Sequence, residues 1–533
     1  MPRPTVLLKR SLIFIHRWMG VALSLLFALW LCSGIVMMYW RFPDVTREDR
    51  LERSPVLRPE RIQVAPEVAW AALSRNDRPG QVTLGNFDGR PVYRFGGGAG
   101  ARGAEGRDGG QTRVFADDGS QVKGIDSALI DRVAAAWAKQ PLSSAKKESV
   151  EEVDQWTVGG QLRTLRPLYK YSFADGQQLY ISGRDAEVMQ YTTSASRFRA
   201  YLGAIPHWLY FTSLRQRQPV WFQVVVWTSG MGTIAAILGI IVALWMVSPS
   251  QKYRNAGAPT SIPYKGWKRW HAIIGLAFGI VTATWAFSGL LSMGPFEFVD
   301  RLAGNRAGKP AAVDIASALR GAGDFEIASY SAKGPADAIA SLGEGFQARE
   351  LEFTRFGGEA VYIATDGAGA TRIVPVHGAT RSEFASDQVM NIVRKAAGGA
   401  LAELRVLRQY DAYYLDRTGR RPLPVVYARL NGESETRYYI DVKTGEVAGT
   451  YNSGNWVNRW LYHGLHSLDF PWLYNHRPLW DIIVIGLMLG GTAVCVTSLV
   501  LTWRVVKRKL APLFSADAMW TPANSEDLSQ VGR

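Results

Sequence analysis

Cysteine is almost absent from this chain. Only Cys32 and Cys495 occur among 533 residues, and both fall inside long apolar runs. The polar stretches therefore have no disulfide to hold them, and a closed zinc site lacks its thiolates; the two thiols read as small apolar packing groups. No nucleophile triad and no phosphate loop are recognisable. The stretch FGGGAGARGAEGRDGG (95–110) has the glycine spacing of a dinucleotide motif, but no apolar helix follows it, which makes it a flexible loop. Lys and Arg number 61 against 46 Asp and Glu, a net charge of +15. No nucleic-acid motif accompanies that excess, so it does not point to a nucleic-acid partner. Histidine is scarce too, with seven copies.

What the sequence has in quantity is apolar runs. Four windows reach the length of about 20 residues that a helix needs to cross a bilayer: 12–40, 219–247, 270–293 and 479–503. The first is too long for a signal peptide and has no small-residue cleavage site after it, so it reads as a retained anchor. Short-loop charges set the orientation. Arg3, Lys9, Arg10 and Arg17 flank the first window. Lys252, Arg254, Lys265, Lys268 and Arg269 lie in 248–269 with no acid, and Arg504, Lys507, Arg508 and Lys509 follow the fourth. All three clusters belong on the cytoplasmic side, both termini included. The expected layout has the first span within 1–40, an outer domain at 41–200, and an edge helix with the second span at 201–247. A cytoplasmic loop at 248–266 leads to the third span at 267–293. A second outer domain fills 294–455, an edge helix with the fourth span 456–504, and a cytoplasmic tail 505–533. Beyond about 510 the tail is polar and expected to be loosely ordered.

The chain also aligns with itself. HRWMGVALSLLFALWLCSG (16–34) lies over HAIIGLAFGIVTATWAFSG (271–289) without a gap, and 179–221 lies over 438–480. Each half then reads helix, outer domain, helix, a parallel repeat, and the two halves together make a four-helix bundle. Within the polar segments, RYYIDVKTGEVAG and VYIATDGAGATRIVPV alternate as strand–turn–strand, and SDQVMNIVRKAAG has helical spacing ending on glycine. The fold class predicted is a membrane protein with a four-transmembrane-helix bundle and two α+β outer domains.

Four of the seven histidines fall at matched places, His16 with His271 and His207 with His466. The first two lie at the cytoplasmic ends of spans, the others just before spans at the outer face. Intramembrane polar groups are costly and usually functional. Two imidazoles facing across a bundle suit haem iron, which takes two axial ligands, better than zinc, which takes three or four. Gly20, Gly34, Gly275 and Gly289 would let a flat ring approach, Trp18, Trp30, Trp270 and Trp285 would border it, and Arg17, Lys268 and Arg269 would hold propionates. The bland reading gives each histidine one interfacial hydrogen bond. His463, three residues before His466, competes with it as ligand; His476 reads as interfacial and His377 as a surface residue.

The HRWMG opening, the SG near the end of the same helix, the YYIDVKTGEV strand pair and the LYHGLHS segment resemble the PepSY-associated transmembrane family. The resemblance covers nearly the whole chain as two copies. It implies PepSY-like periplasmic domains and a place in a bacterial inner membrane. It also implies a likeness to reductases of ferric siderophores with two b-type haems, ligated at His16/His271 and His207/His466. The first half departs from the pattern, with SGRDAEV in place of DVKTGEV and AIPH in place of YHGLH. The function expected is electron transfer across the bilayer to a periplasmic ferric siderophore or other ferric chelate, releasing Fe(II). The electron donor would be a quinol or another cytoplasmic or membrane molecule, since the cytoplasmic segments are too short for a nucleotide-binding domain. RQYDAYYLDRTGRRP (408–422) offers aromatic and arginine side chains to an anionic chelate, or else a packing surface. Two other readings stay open: a non-catalytic module that binds a periplasmic peptide or partner protein, and a small-ion transporter.

Overall fold

The computed structural model describes residues 4–73, 78–96, 112–294, 313–417, 419–432 and 435–515. All but the first two residues of the glycine-rich 95–110 stretch, and the tail past 515, lie outside the described residues. Four helices are long and apolar enough to cross a membrane: α1 (Pro4–Met37), α2 (Gln218–Met246), α3 (Gly266–Leu291) and α4 (Leu479–Ser515). α1 begins before its apolar run and α4 continues past it, because lysine, arginine and leucine at those ends are good helix formers. Each helix packs on the next, and α4 closes the ring against α1. Glycine sets two of the crossings. A β-carbon on Gly232 of α2 would strike the Phe27 ring of α1, and one on Gly490 of α4 would strike the Phe278 ring of α3. Close approach through small residues is how such helices associate without a hydrophobic driving force. Leu25, Trp227, Ile280 and Ile482 are all more than 60% exposed, an apolar surface of the kind a bilayer covers.

The polar segments are α+β with antiparallel sheets. The first carries strands β1 (Gln81–Phe87), β2 (Arg90–Gly96) and β3 (Thr112–Phe115), helix Ser127–Ala138, then β4 (Ala145–Val150), β5 (Leu168–Phe173), β6 (Gln178–Ser182) and β7 (Val188–Thr192). The second carries β8 (Ala348–Phe356), β9 (Glu359–Asp366) and β10 (Thr371–Pro375), helix Ser386–Ala397, then β11 (Leu401–Leu407), β12 (Val425–Leu430), β13 (Thr436–Asp441) and β14 (Val447–Asn452). The predicted hairpins at 361–376 and 437–449 form, and Gly445 at the second turn has φ +74° with Phe356 packed where a side chain would start.

The two outer segments, 41–200 and 294–455, share a sheet. β1 and β8 pair antiparallel, Val82 opposite Phe353 and Leu84 opposite Leu351, so one six-stranded sheet runs β10-β9-β8-β1-β2-β3 through both segments. Val82, Leu84, Tyr93 and Val114 share a core with Leu351, Phe353, Tyr362 and Val374. Alternation marks a strand but not its partner. Each segment alone would leave an edge of unpaired N–H and C=O groups, and joining the two edges removes that liability. The other face of the sheet packs helix Ser127–Ala138 and the β4–β7 sheet on one half, through Phe87, Val92 and Ile130. Helix Ser386–Ala397 and the β11–β14 sheet cover the other half, through Ile363, Ile373 and Val389.

Candidate functional site

The four matched histidines meet as two pairs. His16 on α1 and His271 on α3 have ring centres 6.2 Å apart. His207, in the short helix Ala204–Trp208, and His466, in the turn Leu465–Ser467, have ring centres 6.0 Å apart.

Every ring is tied through the same nitrogen. His16 Nδ1 lies 2.9 Å from the Ala235 carbonyl of α2, and His207 Nδ1 lies 3.1 Å from the Trp30 carbonyl of α1. A carbonyl only accepts, so both rings carry their proton on Nδ1. His271 Nδ1 lies 3.0 Å from Thr497 Oγ1, whose own proton goes to the Ala493 and Val494 carbonyls. His466 Nδ1 lies 3.1 Å from Ser288 Oγ, whose proton goes to the Trp285 carbonyl. These two hydroxyls therefore accept as well. All four Nε2 atoms are left as lone-pair acceptors, and no hydrogen bond reaches them from the described residues. An imidazole anchored at Nδ1 with Nε2 bare is the arrangement of a metal ligand with its supporting shell. Burial pushes the His207 pKa down to about 4. Burial, then the neighbouring His207 and Arg417, pushes His466 to about 3, so both rings are neutral at physiological pH.

The same local device presents His207 and His466. Two residues after each stands a leucine in the left-handed region, Leu209 at φ +52° and Leu468 at φ +50°, a conformation costing roughly 1–2 kcal/mol for a residue with a β-carbon. It turns the chain back toward the span that follows. An indole at the start of that span then caps the turn: Trp221 Nε1 donates to the Trp208 carbonyl at 2.8 Å, and Trp480 Nε1 to the Ser467 carbonyl at 3.1 Å. Before His466 the chain forms a π-helical stretch, Val457–Gly464, a rare conformation that recurs at functional sites.

Beside the His207/His466 pair lies a mostly apolar cleft of about 350 Å³ walled by Phe27, Trp30, Trp285, Trp221, Tyr462 and Met488, within the range of about 300–1,000 Å³ usual for small-ligand sites. Trp30 Nε1 is buried at this wall without a hydrogen-bond partner among the described residues. A β-carbon on Gly34 would lie 3.4 Å from His207 Cε1, and one on Gly289 would lie 3.8 Å from His466 Cε1.

The spacing of each pair is that of two imidazoles sharing one metal. Two imidazoles bound on opposite sides of one metal, with bonds of about 2 Å, put their ring centres a little over 6 Å apart; the pairs stand at 6.2 and 6.0 Å. Among the described residues no three His, Cys, Asp or Glu side chains gather as a metal-ion cage, so pairs are what the histidines form.

His463 does not face His207; its Nδ1 lies 3.9 Å from Asp469 Oδ2. His476 is exposed and bonded to the Trp472 carbonyl, and His377 is exposed just past β10. Arg17 lies over its own helix's Phe14 and Trp18 rings, and Arg269 donates to Thr260. Trp270 is exposed, whereas Trp30 and Trp285 wall the cleft. Gly275 has open space where a side chain would start. Sequence reasoning missed Gly239, where a β-carbon would lie 2.6 Å from His16 Cε1. It also missed Thr497, Ser288 and Ser33, whose Oγ lies 3.2 Å from His207 Nδ1, although the aligned serines of the two SG pairs were a usable signal. Of the residues at 408–422, Tyr414 is buried and stacked on Tyr439, the Ala412 carbonyl accepts from Arg459, and Arg417 pairs with Asp469.

The chain matches no family model, and no curated protein is significantly similar to it.

Proposed function

We propose that the chain is a bacterial inner-membrane reductase with two b-type haems, and that it passes electrons to a ferric chelate in the periplasm. The observation that carries this reading is the pair of facing imidazole couples, each anchored at Nδ1 with both Nε2 atoms bare. When bound, each haem supplies a one-electron Fe(III)/Fe(II) couple. The protein's part is placement. His16 and His271 would ligate one group, held by Ala235 and Thr497. His207 and His466 would ligate the other, held by Trp30, Ser33 and Ser288. His16 and Ser33 are seventeen residues apart on α1, about 25 Å at about 1.5 Å per residue, so the bundle spaces the two sites along its length. Phe27, Trp285 and Met488 keep water from the second site. A quinol or cytoplasmic donor feeds the cytoplasmic end. One electron per ferric ion leaves from the periplasmic end, and hard oxygen chelators hold the resulting Fe(II) less well. The resemblance to the PepSY-associated family and the self-alignment of the two halves support the same reading.

The visible spectrum of the purified protein tests it. The expected result is two haems per chain, with bands that shift on dithionite addition. His16→Ala or His271→Ala should remove one haem, and His207→Ala or His466→Ala the other. A folded, colourless preparation from haem-replete cells would reject the proposal and leave a tethered binding module.

A further inference from the structure

A second group of charged side chains lies next to His466 and takes no part in holding the histidine pair. His463 is half exposed, with Asp469 Oδ2 3.9 Å from its Nδ1. Asp469 is buried and ion-paired with Arg417 at 2.9 Å. Arg459 is only 6% exposed. Its Nη2 donates to the Asp469 carbonyl and its Nε to the Ala412 carbonyl, while its Nη1 is buried with no hydrogen-bond partner among the described residues. Arg421 lies over the Tyr414 ring and bonds the Tyr451 hydroxyl. Arg417 and Arg459 both hold Asp469, the acid beside the His463 ring. Two more acids share the loop, but Asp411 is engaged by the Tyr439 hydroxyl and the 413–414 N–H groups, and Asp416 by the 420–421 N–H groups.

The self-alignment isolates this group. At the positions of Arg459, His463 and Asp469 the first half has Ala200, Ala204 and Tyr210, yet His207 there is presented by the same leucine turn and the same indole cap. Arginine, histidine and aspartate are therefore not required to hold a histidine in place. A buried guanidinium N–H without an acceptor is costly, and guanidinium is the side chain suited to carboxylate-type oxygens.

We infer that His463, Arg417, Arg421 and Arg459 form the docking site for the anionic oxygen donors of a ferric chelate, on the second half only and next to His466. The inference rests on the reading above for the identity of the acceptor. Arg421 supplies charge at the rim, Arg459 beneath it offers its Nη1 to a ligand oxygen, and His463 presents its half-exposed ring edge. Tyr462, which walls the cleft, lies between this site and His466, with its ring centre 4.8 Å from His463 and 5.3 Å from His466.

Gallium(III) citrate, an anionic chelate that cannot be reduced, separates docking from electron transfer. Equilibrium dialysis against the full-length protein in nanodiscs should show binding that weakens as salt is raised. His463→Ala, Arg421→Gln and Arg459→Gln should each weaken it by about tenfold or more, the loss of one charge-assisted contact, with the visible spectrum unchanged. Arg421→Gln, at the rim, keeps the test decisive if Arg459→Gln does not fold. No binding to the native protein, or equal binding to all variants, overturns the site. So does tightly bound phospholipid that excludes gallium citrate and is lost in the variants. A protein without haem that still binds gallium citrate through these residues would keep the docking site and reject the reductase. A haem-replete protein that binds none would do the reverse.

Discussion

Substituting Gly239 by alanine isolates one contact at the His16/His271 pair. The new methyl would stand 2.6 Å from His16 Cε1 and 3.2 Å from Nδ1, where carbon atoms need about 3.5–4 Å. The ring must retreat by about 1 Å. His16 Nδ1 sits 2.9 Å from the Ala235 carbonyl, and a shift of that size takes the bond past the limit of about 3.5 Å at which it still counts, at a cost of about 0.5–1.5 kcal/mol. Alanine recovers about 1 kcal/mol of helix propensity over glycine, so stability should change by less than about 1 kcal/mol. Ligation is far less forgiving, since metal–ligand distances hold to about 0.2 Å. Gly239→Ala should therefore melt within a few degrees of the native protein yet carry one haem instead of two, by pyridine haemochromogen assay. Gly486→Ala, where a β-carbon meets nothing within 4 Å, is the matched control and should keep both. Two haems and an unchanged spectrum in Gly239→Ala would refute the placement of His16 against α2.

Ser288→Ala removes the hydroxyl on His466 Nδ1 and should loosen that site by about tenfold or more, as loss of a supporting partner does. Ser33→Ala should cost less, because His207 Nδ1 keeps the Trp30 carbonyl at 3.1 Å; haem transfer to apomyoglobin measures both, and equal losses would count against this hydrogen-bond pattern. Away from the bundle, Glu352 on β8 has its pKa raised to about 7, first by burial and then by Glu446 and Glu350. The folded state thus holds this proton to higher pH than the unfolded chain. Its contribution to stability is full below the ordinary glutamate value of about 4.3 and is lost as pH rises toward neutrality. Thermal unfolding followed from pH 4 to 8 should show that loss, Glu352→Gln should flatten it, and an unchanged slope in the variant would exclude Glu352 as its source.

Much of this architecture is legible in residue order. The four long helices follow from apolar length, because a bilayer demands it. The histidine pairs follow from the self-alignment, since His16/His271 and His207/His466 sit at aligned positions and each pair meets in space. Which of His463 and His466 faces His207 was not legible. Both lie on one helical face at regular spacing, and the π-helical stretch that sets their directions has no clear local signature. Gly239 escaped notice because its partner ring is more than two hundred residues away. The β1–β8 seam escaped for the same reason: alternation in 81–87 and 348–356 describes each strand's two faces and says nothing about its edges.

That seam also limits how the molecule can be divided. A fragment ending after α2 would keep β1–β7 but leave β1 bare along the side that β8 covers. The register there is nearly self-complementary, since Val82–Thr83–Leu84 meets Leu351–Glu352–Phe353 head to tail. The surface most ready to cover such a fragment is β1 of another fragment, so half-length versions should dimerise or aggregate. In the intact chain the joined strands act as a rigid yoke, and a load on one extramembrane segment is felt by the other.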